Sequence, residues 1–159
     1  MNRELQNYIR LNENAEKIRN SKERVAVILE GRDGAGKSGT IRAVTKYLPL
    51  YAHRVEHSFR PSKWAMKNWL PFWQSKMPQQ GEIVFYDRSH YSRALLQPVM
   101  GWCSNIAYEN FMASVTAWED KQPIKFIKLW LSISEPEQGK RINSRQGDPL
   151  RYWKYSVND

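Results

Sequence analysis

Cysteine is almost absent. Cys103 stands alone among 159 residues, so no internal disulfide can form, and no Cys/His cluster has the spacing of a zinc site. No uncharged apolar run is long enough to cross a bilayer, and the amino terminus, MNRELQNYIRLNENAEK, lacks the apolar core of a signal peptide. These absences argue against export and membrane spanning and lead us to expect a cytoplasmic protein. No internal repeat and no low-complexity segment is present, which excludes a solenoid and a disordered tail. Acidic residues are in deficit, 16 Asp and Glu against 25 Lys and Arg, for a net charge of +9. Such an excess favours polyanionic partners such as nucleic acid, anionic membrane or polyphosphate, without choosing among them. No nucleic-acid recognition motif accompanies it.

What is present reads as one folded domain. Hydrophobic residues make up 41% and aromatic residues 13%, enough to build a core. Leu5, Ile9, Ala15 and Ile18 recur at roughly helical spacing among charged neighbours, which predicts an amphipathic helix over 3–19 that packs on the core. Val25 to Leu29 is an uninterrupted, β-branched apolar run, the pattern of a strand covered on both faces. A helix is expected from Ser38 to Leu48 and a second strand over His53 to Phe59. Ser62 can cap a helix running towards Met77, which Pro71 should kink or interrupt. Glu82 to Asp87 reads as a third strand ending in an acid. A helix over Asn105 to Asp120, a fourth strand over Ile124 to Ile133 and a helix from Glu135 complete the order. Alternating strands and helices imply βαβ units, a mostly parallel sheet and an α/β, three-layer fold.

Two segments carry chemistry. Gly31-Arg32-Asp33-Gly34-Ala35-Gly36-Lys37-Ser38 is a complete match to the G-x-x-x-x-G-K-[ST] phosphate-binding pattern. It follows a strand and opens a helix, so backbone N–H groups and the helix amino terminus can converge on a phosphate while Lys37 supplies a point charge. Asp87-Arg88-Ser89 closes the third strand. Ligands of open α/β sheets bind beyond the carboxyl ends of the strands, so Asp87 should face the same crevice and suits a magnesium ion. Asp33 lies among phosphate-binding amides, where a carboxylate needs a cation or a proton, and is a candidate second magnesium or catalytic carboxylate. Basic residues flank this region: Arg54, Arg60, Lys63, Lys67, Arg88, Arg93, Lys140, Arg141, Arg145, Arg151 and Lys154. Some would clamp a phosphoryl group from a lid, whereas most belong to ordinary solvated surface. Trp64, Trp69 and Trp73 fit a core better than a base-stacking face. His53, His57 and His90 show no metal or triad spacing, and Trp102-Cys103 reads as packing.

These motifs, together with Tyr86 to Arg93, Val99-Met100-Gly101, Phe126 to Ser134, and Arg141 through Arg145 to Lys154, resemble the polyphosphate kinase 2 family over roughly residues 22–159. The resemblance implies a P-loop kinase fold with a partial helical lid over about 135–159, preceded by a separate amino-terminal helix over 1–21. It implies magnesium-dependent phosphoryl transfer between inorganic polyphosphate and a nucleoside mono- or diphosphate (ADP or GDP, AMP or GMP). Asp33 and Asp87 would hold magnesium, Lys37 and Arg88 would bind the phosphates in flight, Arg145 would belong to the lid, and Arg93, Arg141 and Lys154 would line the polyphosphate path. Pro71 and the non-acidic stretch Lys63-Trp64-Ala65 depart from the family pattern, and family members continue past Lys154 where this chain ends at Asp159, so a carboxyl-terminally truncated domain is expected. Two other readings stay open. The loop and Asp87-Arg88-Ser89 are also similar to thymidylate kinase, which would take ATP as donor. A polyanion-binding homologue without turnover is the second. Neither a specific nucleic acid nor a membrane is expected as partner, and a homo-oligomer is compatible with everything above.

Overall fold

The computed structural model describes residues 2–150. Helix α1 (Arg3–Ser21) starts where the Asn2 side chain accepts a hydrogen bond from the Glu4 N–H and stops at Lys22, in the left-handed conformation. Strand β1 (Val25–Gly31) leads into α2 (Lys37–Thr45), and a 3₁₀ turn (Leu50–Ala52) leads into β2 (His53–His57). Helices α3 (Lys63–Lys67) and α4 (Trp69–Gln74) precede β3 (Ile83–Asp87). Then come α5 (Ser92–Leu95), α6 (Asn105–Asp120), β4 (Lys125–Leu131) and α7 (Glu135–Gln146).

The four strands form one sheet in the order β2-β3-β1-β4, and every neighbouring pair is parallel. Val27 lies beside Phe85 on one side and Ile127 on the other. Because successive side chains of a strand point to opposite faces, β1 and β3 each feed two cores. Ala26, Ile28, Val84 and Tyr86 pack with Trp69, Trp73 and Met77 and with Phe111 and Val115 of α6. Val25, Leu29, Ile83 and Phe85 pack with Ala15 of α1 and Ile41 of α2. The sheet is thus covered on both faces, and the fold is the expected α/β three-layer arrangement. At the edge, β4 is less well covered: Ile127 is 48% exposed, Leu129 44% and Trp130 61%.

Several local expectations are corrected. The helix expected over 62–77 does break, but at Asn68 (φ −120°, ψ 53°) rather than at Pro71. Pro71 sits in the first turn of α4, where a missing N–H costs least, so the chain must leave helical geometry upstream of it. Strand β2 ends at His57, two residues earlier than expected, and α2 begins at Lys37. Helix α5 was not foreseen, because four residues are too few for a periodic signal. Trp69 and Trp73 are buried as core residues, while Trp64 is exposed. Arg151 and Lys154 lie outside the described residues, as does the end of the expected lid.

Candidate functional site

The carboxyl ends of β1 and β3 deliver the site. At the end of β1, Gly31 has φ +144°, and a Cβ there would stand 2.3 Å from the Leu131 carbonyl oxygen of β4, so only glycine permits this approach. Gly34 (φ +78°) and Gly36 (φ +100°) then curl the chain through left-handed conformations into α2. The amides that open α2 have no carbonyl one turn earlier to pair with, and they face the crevice with the positive end of the helix dipole.

Lys37 is 6% exposed. Its Nζ donates to the carbonyl oxygens of Gly31 (2.8 Å) and Arg32 (3.0 Å) and lies 3.9 Å from Asp33 Oδ1. Burial and the neighbouring Arg88 guanidinium hold its pKa below the usual lysine value, against the opposing pull of Asp33, Asp87 and Glu30. A buried ammonium resting on two carbonyls is a charge ready to exchange those contacts for an anion.

Asp87 ends β3 and sits in register with Leu29 of β1 and His57 of β2. Its Oδ2 accepts a hydrogen bond from Ser38 Oγ and lies 3.8 Å from His57 Nδ1. Arg88 follows in the left-handed region (φ +67°), which costs a residue with a Cβ about 1 kcal/mol. Its N–H donates to the Leu29 carbonyl (3.2 Å), and its guanidinium pairs with Asp33 Oδ1. The following residue, Ser89, is fully buried and donates to Glu30 Oε1 through both its N–H (2.8 Å) and its hydroxyl (2.7 Å).

Helix α7 lies over the loop. Arg141 donates from one terminal nitrogen to the Gly34 carbonyl (3.1 Å) and from Nε to Glu137 (2.7 Å). Asp33, Lys37, Asp87, Arg88, Arg141 and Arg145 share the lining of one open cavity of about 1030 Å³. Gly34, Gly36 and Ser38 line it as well.

The other basic candidates are elsewhere. Arg93 is buried at 3% exposure, with its guanidinium 4.7 Å from the Trp69 ring centre and donating to the Met66 carbonyl (2.6 Å), and it does not line the cavity. Arg54 is paired with Glu56 and Glu82, and Arg60 stacks on Trp102. Two residues of the site region are given no role by the sequence. His57 lines the cavity, and its position across from Asp87 could have been found only from the strand register. Glu30 precedes the loop motif and falls outside its pattern.

Among the described residues no group of three His, Cys, Asp or Glu could hold a metal, so a fully protein-made cage is not what this site offers. Two carboxylates and a hydroxyl remain: Asp33, Asp87 and Ser38. That is a hard-oxygen set of the kind that holds magnesium together with substrate oxygens and water.

A glycine-rich loop between β1 and α2, faced by an acid and an arginine at the end of the adjacent parallel strand, makes this an α/β protein with the arrangement by which open parallel sheets meet phosphate groups. The family model described as polyphosphate kinase 2 matches residues 1–159, and the chain belongs to that family. It is 40% identical over 140 residues to an ADP-polyphosphate phosphotransferase of Pseudomonas aeruginosa, covering 86% of this chain and 46% of the relative. It is 38% identical over 146 residues to a GDP-polyphosphate phosphotransferase of the same organism, covering 89% and 41%. The crystal structure of polyphosphate kinase 2 from Arthrobacter aurescens superposes with a TM-score of 0.85 at 28% identity, covering 96% of this chain and 57% of that one. The chain therefore spans about half the length of the curated relatives it matches. Among the described residues no helix is long and apolar enough to cross a membrane.

Proposed function

We propose that this chain transfers a phosphoryl group between inorganic polyphosphate and a nucleoside mono- or diphosphate, with magnesium as cofactor. The observation that carries the reading is the convergence of Lys37, Asp87, Arg88, Arg141 and Arg145 on one cavity at the carboxyl end of the sheet. The names of the relatives supply the donor class, polyphosphate, and an acceptor class of nucleoside diphosphates.

In this reading the loop amides and Lys37 bind the donor phosphates, and Arg88 neutralises the group in transfer. Arg141 and Arg145 approach from α7 and act as the near edge of a lid, and Lys154 is assigned to the polyphosphate path, whereas Arg93, buried against Trp69, has no part in it. Asp33 and Asp87 would hold magnesium, which would supply positive charge to offset that of the phosphates. Little covalent chemistry is asked of the protein. Positioning and charge neutralisation, which need a dry and preorganised site, account for catalysis. The buried Lys37 and the crowded positive charge around it give the crevice a strong preference for a polyanion.

The test is an assay of the purified chain with Mg²⁺ and polyphosphate, offering AMP, ADP, GMP and GDP in turn, with ATP plus TMP as control. Product that requires polyphosphate supports the reading. Product from ATP and TMP alone would replace it with a nucleoside monophosphate kinase, and bound polyphosphate without product would replace it with a binding protein.

A further inference from the structure

The left-handed backbone of Arg88 has to be held, because an arginine released from neighbours leaves that region for a conformation that its Cβ tolerates. Two sets of contacts hold it. On the amino-terminal side, the Arg88 N–H is fixed to the Leu29 carbonyl at 3.2 Å. On the carboxyl-terminal side, Ser89 is clamped twice by one oxygen of Glu30, through the backbone N–H at 2.8 Å and through Oγ at 2.7 Å. Ser89 Oγ also accepts from the Tyr91 N–H at 3.2 Å, which ties the turn to the start of α5. Both anchors come from adjacent residues of β1, immediately before Gly31.

The placement of Glu30 is costly unless it does something. Its carboxylate is 8% exposed, and it sits on the face of β1 that otherwise carries Ala26 and Ile28 into an apolar core. Burial pushes its pKa up, while the Ser89 hydrogen bonds and the positive charges of Lys37 and Arg88 pull the other way. A hydrophobic residue at that position would complete the alternation of the strand, yet it would leave the Ser89 N–H and hydroxyl without acceptors.

We propose that Glu30 is a positioning residue that braces the Asp87-Arg88-Ser89 turn against the root of the phosphate loop, and so aims the Arg88 guanidinium at the transferring phosphoryl group. This inference rests on the phosphoryl-transfer reading for its consequence in catalysis, but the brace itself is a matter of geometry. Glu30 touches no substrate. It acts through Ser89 on the backbone of Arg88, and through its peptide link to Gly31 it keeps the loop and the arginine in one frame.

The experiment uses Glu30→Ala, Glu30→Gln and Ser89→Ala in the whole chain, read first by the arginine side-chain Nε–H signals in a ¹H–¹⁵N spectrum, with Arg88 assigned from Arg88→Lys. In the native chain the Arg88 signal should be resolved by its ion pair with Asp33. Glu30→Ala should move it to the position of an unrestrained arginine. Glu30→Gln keeps a carbonyl acceptor for both Ser89 donors and should leave the signal near its native place. In the polyphosphate assay Glu30→Ala should lower kcat by about 30-fold or more with KM for the nucleotide little changed, while Glu30→Gln stays within about threefold. An Arg88 signal unmoved in Glu30→Ala, or moved equally in Glu30→Gln, overturns the brace. If Glu30→Ala does not fold, Ser89→Ala decides: it removes one of the two clamps and should shift and broaden the Arg88 signal, and an unchanged signal there overturns the proposal. Because the spectrum does not depend on turnover, a chain inactive towards polyphosphate would defeat the phosphoryl-transfer reading and leave the brace still to be judged on its own signal.

Discussion

Two clusters of charge in this molecule are built from similar residues and behave as opposites. Behind α5, Glu119 is 7% exposed and accepts hydrogen bonds from His90 Nε2 (2.8 Å), from the Tyr91 hydroxyl (2.9 Å) and from Lys128 Nζ. His90 is itself fully buried, and aromatic rings of Tyr91, Trp118, Phe111 and Phe126 surround it. Here the carboxylate is saturated by three donors, of which His90 is fully buried while Lys128 is half-exposed and also donates to the Tyr91 hydroxyl (2.8 Å). In the phosphate-loop crevice the charges also meet one another, but on provisional terms: Lys37 rests on carbonyls, Arg88 on Asp33, and Ser38 on Asp87. Each of those contacts can be exchanged for a phosphate oxygen or a cation. The comparison teaches that saturation marks a structural network, whereas a crevice whose charges neutralise each other while open to solvent marks a place for a ligand.

The sharpest way to break this contrast is at Lys37. Lys37→Ala should reduce polyphosphate-dependent nucleotide formation by roughly 10³-fold, and Asp87→Asn by a similar factor, with far-ultraviolet circular dichroism unchanged in both. A near-native rate in either would place the chemistry elsewhere. Arg145→Ala should lower kcat by roughly tenfold with little change in KM, as steady-state kinetics would show, because its contact strengthens in the transition state. On the structural side, Glu119→Ala should cost about 3 kcal/mol of stability in urea unfolding, since it strands the fully buried His90 without its acceptor and takes the carboxylate from Lys128. Turnover of the folded fraction should change little. A large fall in kcat at full stability would merge the two clusters into one.

The smallest effect expected is on pH dependence. Burial lowers the pKa of His90 below its ordinary 6.5, against the raising influence of Glu119, and its Nδ1 has no hydrogen-bond partner among the described residues. The folded state thus keeps the ring neutral where the unfolded chain would already take up a proton. The unfolded state binds more protons between the folded pKa and 6.5, so stability falls as pH drops through that window. Melting temperatures measured from pH 7.5 to 5.5 should decline, and His90→Asn should flatten the decline even though it lowers the starting value. A slope that survives the substitution would assign the effect to another group.

How much of this was legible beforehand depends on whether the signal is local. The strands β1 and β3 announce themselves as unbroken apolar runs, because a strand buried on both faces has no polar side to show. The phosphate loop is legible because its glycines are forced by backbone geometry. The Asn68 break and α5 were not, since the first depends on how Pro71 is absorbed upstream and the second is one turn long. Arg93 is placed on the polyphosphate path by the family resemblance, and only the tertiary structure puts Trp69 and the Met66 carbonyl around it. Glu30 with Ser89 and His90 with Glu119 pair residues 59 and 29 positions apart, and nothing in a single sequence couples them. His57 joins the crevice only through the register of β2 on β3.

Strand β4 has a practical consequence of its own. One flank pairs with β1, and the other lies at the border of the described sheet, with Ile127, Leu129 and Trp130 turned partly to water. Such a border is a template on which another polypeptide can be laid down, backbone to backbone. Lys125 and Lys128 share the strand with those apolar residues, but each is held by a carboxylate, Glu23 and Glu119 respectively, so charge on this strand offers little resistance to such pairing. The preparation that should keep this protein dispersed is therefore a dilute one, since pairing between copies falls as concentration falls.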